Sequence, residues 1–180
     1  MRISRLAAMG SMLLLTACGG PTGPGGARVA RAPRLTGQQI AVSEFSLDGA
    51  NVRYGGSSEA FGIALAEEIA SSLRERGYQA QALPANAPPR GAIVVSGRIT
   101  RVDGGSQALR YFVSFGAGAT KFGAAGAVTG ADGTRLAGFS DERWSGWGIF
   151  GGSSRSLLQK CVRQVGRDIA NMVDTGEYRQ

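Results

Sequence analysis

The chain has 180 residues, with 20 Lys and Arg against 13 Asp and Glu, a net charge of +7, two Cys and no His. Without imidazole it cannot build a Ser-His-Asp or Cys-His relay, a His-ligated zinc or iron site, or a haem with a proximal His. A hydrophobic content of 43% is typical of a folded protein, and the length suits one domain with an appendage.

The N-terminal segment has the pattern of an export signal: two arginines, a short apolar run over residues 6–15, and small residues. This run is too short to span a bilayer, which takes about 20 residues. The residues Leu15-Thr16-Ala17-Cys18 resemble the lipobox of bacterial lipoproteins, whose Cys carries diacylglycerol and whose new amine is acylated, as with palmitate. We expect a signal peptide over 1–17 and a membrane anchor on Cys18; the alternative is an ordinary secretory signal.

The residue after the predicted anchor bears on the destination. Gly19 resembles the pattern that Gram-negative bacteria sort to the outer membrane, so we expect an outer-membrane lipoprotein whose domain faces the periplasm. With Cys18 lipidated, Cys161 has no intramolecular disulfide partner. The sequence places Cys161 on a helix face as a small apolar residue; a reactive thiol is the alternative.

Residues 18–38 are rich in Gly, Pro and Arg and contain no acid, which predicts a flexible tether. Beyond the tether the chain carries 15 basic and 13 acidic residues. The basic character therefore belongs mainly to the N-terminal segments, and it gives no support to nucleic-acid binding by the domain.

The domain is predicted to occupy residues 39–180 and to begin with a strand. Apolar residues recurring every four positions predict a helix over 58–76, with Ser57 or Ser58 as its cap, and a second amphipathic helix is predicted from Ser153. Alternating apolar residues and turn signals indicate strands at 39–45, 78–83, 92–102, 109–115, 121–129 and 135–143. We expect an α+β two-layer sandwich, a mainly antiparallel sheet of about five strands with both helices on one face.

Several segments carry a resemblance to a known family: VVSGRIT at 94–100, RYFVSFGAGATK at 110–121, a turn at 131–133, and FGGS at 150–153. Together they resemble the uncharacterised bacterial lipoproteins catalogued as domain of unknown function 4410. The Arg-Tyr pair followed by Gly-x-Gly is the most recognisable feature. The resemblance implies a lipoprotein with no established activity, catalytic residue or ligand.

Two stretches invite a functional interpretation. The glycines around Gly116 lack the Gly-Lys-Ser/Thr of a phosphate loop and are followed by no helix pattern, so we expect them to serve strand geometry. Trp144, Trp147 and Phe150 lie among glycines. These rings either cap the core or stay exposed as a contact for an envelope protein or the membrane interface.

Four acids could suggest paired carboxylates for hydrolysis: Asp103, Asp132, Asp141 and Glu142. We expect three of them in turns or loops, where Asp-Gly serves geometry. The sequence therefore predicts no catalytic residue, metal or cofactor.

These observations together predict a lipid-anchored periplasmic lipoprotein whose domain is a non-catalytic binding or assembly module for another envelope component. A glycan- or lipid-binding protein of the envelope is the alternative, and an envelope hydrolase is disfavoured because imidazole is absent. The oligomeric state stays open.

Overall fold

A computed structural model describes residues 29–32, 35, 37–85, 91–106, 118–145 and 153–180. The elements are, in chain order, β1 (Val29–Arg31), β2 (Gln39–Ser43), β3 (Asn51–Arg53), α1 (Ala60–Glu75), β4 (Gln79–Leu83), β5 (Ile93–Asp103), β6 (Thr120–Thr129), β7 (Arg135–Ser145), α2 (Ser154–Thr175) and β8 (Glu177–Arg179).

A six-stranded sheet forms the centre of the domain. Its order is β4-β2-β5-β6-β7, and β3 pairs with the far end of β5. The long pairings of β5 with β6 and of β6 with β7 are antiparallel, whereas β2 is parallel to both β4 and β5. The β2–β4 pair is parallel because α1 carries the chain back across the sheet between them.

The two helices cover one face of this sheet and run parallel to each other. α1 packs mainly on β4 and β2, and α2 packs on β6 and β7. Their first turns adjoin, since Ala60 and Arg155 line one groove, and their ends adjoin, since the Tyr78 hydroxyl donates to Asp174 Oδ1 at 2.9 Å. Gly166 allows this close packing, because a Cβ there would lie 2.6 Å from Glu68 Cγ.

The predicted helix positions are confirmed. Leu65, Ile69 and Leu73 are fully buried at the four-residue spacing that predicted α1. Ser153 caps α2, since its Oγ accepts a hydrogen bond from the Ser156 amide at 3.2 Å. The cap predicted for α1 is wrong: Glu59 precedes that helix and makes no side-chain capping bond.

The fold class is confirmed in its coarse form, two helices with a mainly antiparallel sheet, but the strand count is wrong. A sheet of about five strands was expected, and the described residues form eight strands in two sheets. The extra strands β1, β3 and β8 have three residues each, too few to show a period of two. The predicted strand at 109–115 lies outside the described residues.

β1 lies inside the segment that composition assigned to a flexible tether. It pairs antiparallel with β8, placing Val29 beside Arg179 and Ala30 beside Tyr178. Leu35, also in that segment, is buried. The C-terminal part of the 18–38 segment therefore packs on the domain, because β8 offers it a hydrogen-bonding edge.

Two facing glycines let aromatic rings approach the centre of the sheet. Gly97 in β5 lies opposite Gly126 in β6, and the rings of Phe45 and Phe139 pack near them with centroids 6.3 Å apart. A Cβ on Gly97 would lie 2.8 Å from Phe45 Cε1, and one on Gly126 would lie 2.6 Å from Phe139 Cζ. These strand glycines thus make room for side chains of the core.

Neither α1 nor α2, the two helices within the described residues, combines the length and apolar character that a membrane crossing needs.

Gly97→Ala should destabilise the domain, because the new methyl group collides with the Phe45 ring and with the β6 backbone. We expect the free energy of unfolding in urea to fall by about 1–3 kcal/mol. Gly55→Ala is the control, since a Cβ there meets nothing within 4 Å, and it should change the value by less than about 0.5 kcal/mol. Equal effects of the two variants would contradict this account of the strand glycines.

Candidate functional site

The candidate contact residues fall into two groups. Cys18, Trp147 and Phe150 lie outside the described residues. Trp144 lies near the end of β7, and 58% of its surface is exposed. A partner contact requires such exposure, and the role of Trp144 as a contact stays a prediction.

Trp144 belongs to the face of the sheet that carries no helix, which we call the open face. Along β7, Phe139 and Asp141 are buried towards the helices, and the alternate residues Ser140, Glu142 and Trp144 are exposed. Lys121 of β6 lies opposite Trp144. The side chain of Trp144 therefore lies next to that of Lys121 at one end of the open face.

The open face contains a shallow groove of about 940 Å³. Its lining includes the small residues Ser96, Ala127 and Ser140 and two arginines, Arg98 and Arg135. No ion pair of either arginine is present among the described residues. The open face thus offers hydroxyl groups and two free cations rather than an enclosed apolar pocket.

A charged cluster lies on the other face, between the sheet and α2. Asp141 of β7 is buried, and its Oδ2 lies 3.5 Å from Arg143 Nε. Arg143 Nε donates to Asp168 Oδ2 of α2 at 2.7 Å. Arg179 of β8 places Nη1 3.9 Å from Asp141 Oδ1. The cluster joins β7, α2 and β8, so it ties the C-terminal strand to the domain.

Burial raises the pKa of the Asp141 carboxyl to about 6. The positive charges of Arg143 and Arg179 oppose this shift, and the nearby Asp168 carboxylate adds to it. Within the described residues Asp141 Oδ2 has no hydrogen-bond donor. The ionised carboxylate is therefore incompletely compensated, which costs folding free energy.

The remaining candidate acids have structural roles. Asp103 Oδ1 accepts from the Gly105 amide at 2.8 Å, and Asp132 accepts from the Thr134 amide and hydroxyl. Glu142 pairs with Arg101 at 3.2 Å across the open face. The expectation of three acids in turns or loops is wrong, because Asp103, Asp141 and Glu142 all lie in strands.

The cluster around Asp141 contains charged groups of the kind found in binding sites, but its two acids are not open to a ligand-sized groove. Neither Asp141 nor Asp168 lines any of the four main grooves in the described part of the chain. Among the same residues no three acids or thiols come together as metal ligands. Sequence reasoning missed this cluster because an Asp next to a Glu gives no sign of burial.

Cys161 is fully buried in α2, as predicted for a small apolar residue. Burial raises the pKa of its thiol to about 11. The thiolate is therefore scarce at neutral pH, and the reactive-thiol alternative loses its chemical basis.

A family model described as a domain of unknown function (DUF4410) matches residues 40–148. The chain belongs to this family. The DUF4410 match begins at β2 and ends after β7, so α2 and β8 lie beyond it. It confirms the family resemblance drawn from the sequence.

Two solved structures of low sequence identity resemble this chain. A PelC dodecamer from Paraburkholderia phytofirmans has a TM-score of 0.52 and 18% identity, covering 86% of this DUF4410 chain and 99% of that one. A minor lipoprotein from Acinetobacter baumannii has a TM-score of 0.49 and 8% identity over 79% of this chain and 98% of that one. No curated protein matches the chain. The PelC likeness shows a shared fold.

Asp141→Asn should change how stability depends on pH. The folded-state pKa of about 6 exceeds the ordinary value of 3.8, so the folded wild type holds a proton that the unfolded chain releases. That contribution to stability is full below pH 3.8 and is lost as the pH rises through 6. Relative to wild type, the Asn variant should therefore gain about 2 kcal/mol between pH 4 and pH 7.

The measurement is urea unfolding of both proteins at several pH values, with Asp132→Asn as the control for an exposed acid. A constant difference between wild type and Asp141→Asn over this range would contradict the raised pKa of Asp141.

Proposed function

We propose that this protein is a lipid-anchored lipoprotein of the outer membrane whose domain, facing the periplasm, is a non-catalytic assembly module. The observation that carries the proposal is the contrast between the two faces of the sheet. Asp141 is buried and Asp168 pairs with Arg143 between α2 and β7, whereas Trp144 is exposed on the open face. Exposed tryptophans are enriched where proteins bind proteins.

The resemblance of Leu15-Thr16-Ala17-Cys18 to a lipobox supports the anchor on Cys18. Several acyl chains on one residue exceed the two-signal threshold for stable membrane attachment, at about 0.8 kcal/mol for each buried CH₂. PelC, which shares this fold, forms a dodecamer, and this analogy at the level of the fold agrees with an assembly role.

A glycan-binding role is the second candidate, and one observation favours it. The open-face groove is lined by Ser43, Ser96 and Ser140 with arginines beside them, and hydroxyl and guanidinium groups bind sugar hydroxyls. The groove is shallow, so it suits a long ligand more than a small one.

The number of reactive thiols tests the lipid anchor on Cys18, because the buried Cys161 thiol does not react in the folded protein. The full chain, purified from membranes in detergent, should bind no maleimide when native and one per chain when denatured. Cys18→Ser should release the protein into the soluble periplasmic fraction. Labelling of the native protein, or a Cys18→Ser variant that stays with the membranes, would overturn the lipid anchor.

Trp144→Ala tests the assembly role by cross-linking in intact envelopes. We expect a specific cross-linked partner to be reduced at least about tenfold, because truncating a central interface tryptophan costs 2 kcal/mol or more. Val52→Ala is the control, since Val52 is another exposed apolar side chain at 43%, and its cross-links should not change. Unchanged cross-links of Trp144→Ala, together with retention on immobilised glycan, would favour the glycan-binding candidate instead.

A further inference from the structure

The outer edge of α1 carries an acidic stripe with an apolar centre. Glu59, Ile63 and Glu67 follow one another at intervals of four residues, so they lie on one side of the helix. Glu59 already has helical backbone angles, φ −58° and ψ −38°. Ile63 is 54% exposed, and neither glutamate has an ion-pair partner among the described residues. We call these three residues the α1 stripe.

The valley between α1 and α2 is a groove with opposite charge. It has a volume of about 640 Å³, and Phe61, Ala64 and Val162 contribute apolar side chains to it. Arg155 and Arg163 stand along its α2 side, and the described part of the chain supplies no ion pair to either. We call this the helix groove.

Among the described residues, Glu68 is the one acid that lines the helix groove, and it already has an ion-pair partner. Glu68 Oε1 lies 3.4 Å from Arg167 Nε, and this ion pair joins the two helices. The charges of Arg155 and Arg163 are therefore left for a ligand from outside.

The α1 stripe and the helix groove match in spacing as well as in charge. Glu59 and Glu67 are eight residues apart, as are Arg155 and Arg163, and eight helical residues rise about 12 Å. An apolar side chain lies midway between the two glutamates, and the groove offers an apolar lining between its arginines. A second copy of this chain therefore carries the complement of the groove.

We propose that the protein associates with itself by docking the α1 stripe of one copy into the helix groove of the next. The two glutamates pair with the two arginines, and Ile63 is covered by the groove. This inference rests on the proposed assembly function and identifies the partner as a second copy. Because stripe and groove are different surfaces, the contact is heterologous, and repeating it builds a ring or a chain of copies.

Reversing the charges of the α1 stripe in one variant and those of the helix groove in another tests the contact. The full chain in detergent is measured by analytical ultracentrifugation as wild type, as Glu59→Arg with Glu67→Arg, and as Arg155→Glu with Arg163→Glu. We expect the wild type to associate and each double variant to have a self-association constant at least about tenfold weaker. A 1:1 mixture of the two double variants should associate again, because each then meets a surface of opposite charge.

Two controls separate this contact from general charge effects and from misfolding. Lys160→Glu changes an exposed charge of α2 that does not line the groove, and it should associate like wild type. Circular dichroism should show the same helix content in every variant. Wild-type association should weaken as the salt rises from 0.05 to 0.5 M.

A wild type that stays monomeric, double variants that associate normally, or a mixture that fails to recover association would each overturn the inference. A monomeric wild type that still shows the Trp144-dependent cross-link would leave the proposed assembly function standing, with another protein as its partner. Loss of that cross-link together with intact self-association would remove only the open-face contact.

Discussion

The placement of both helices on one face of a single sheet governs the rest of this molecule. α1 and α2 can lie side by side there only because Gly166 lets their backbones approach, next to the ion pair between Glu68 and Arg167. The large buried side chains of the described residues then form one hydrophobic core. The opposite face is left to small and charged residues, and it is there that the exposed Trp144 stands.

The sequence predicted those parts of the fold whose signal is local. The four-residue recurrence along α1 and the alternation along β5 each depend on neighbours in the chain. The sequence therefore predicted the type of these two elements correctly and their boundaries to within a few residues. The pairing of β2 with β4 and β5 depends on residues far apart in sequence, and no periodicity encodes it. The short strands β1, β3 and β8 are defined by their partners rather than by their own residues.

The candidate site was less predictable than the fold for the same reason. Whether Trp144 is exposed and whether Asp141 is buried depend on which side of β7 each side chain takes, and a single-residue shift in register would exchange them. The surroundings of Asp141 include Asp168 of α2 and Arg179 of β8, which are distant from it in sequence, so no sequence pattern indicated them. A carboxylate enclosed in this way, between two arginines and a second acid, holds three elements together at some cost in stability.

The charged residues that the structure describes divide into those that pair with one another inside the domain and those without an ion-pair partner. Among the described residues, the charges around Asp141 pair with one another, whereas Arg155 and Arg163 on the helical layer and Arg98 on the open face have no ion-pair partner.

The pairing of β1 with β8 determines how the domain would respond to a pull on the chain that precedes Val29. Tension along the chain that precedes Val29 acts first on the pair of Val29 with Arg179. The three residue pairs between β1 and β8 would then open in sequence from Val29, while the buried Tyr178 side chain stays in the core. Opening these three pairs would lengthen the segment that precedes β2 and would leave the pairings of the six-stranded sheet in place.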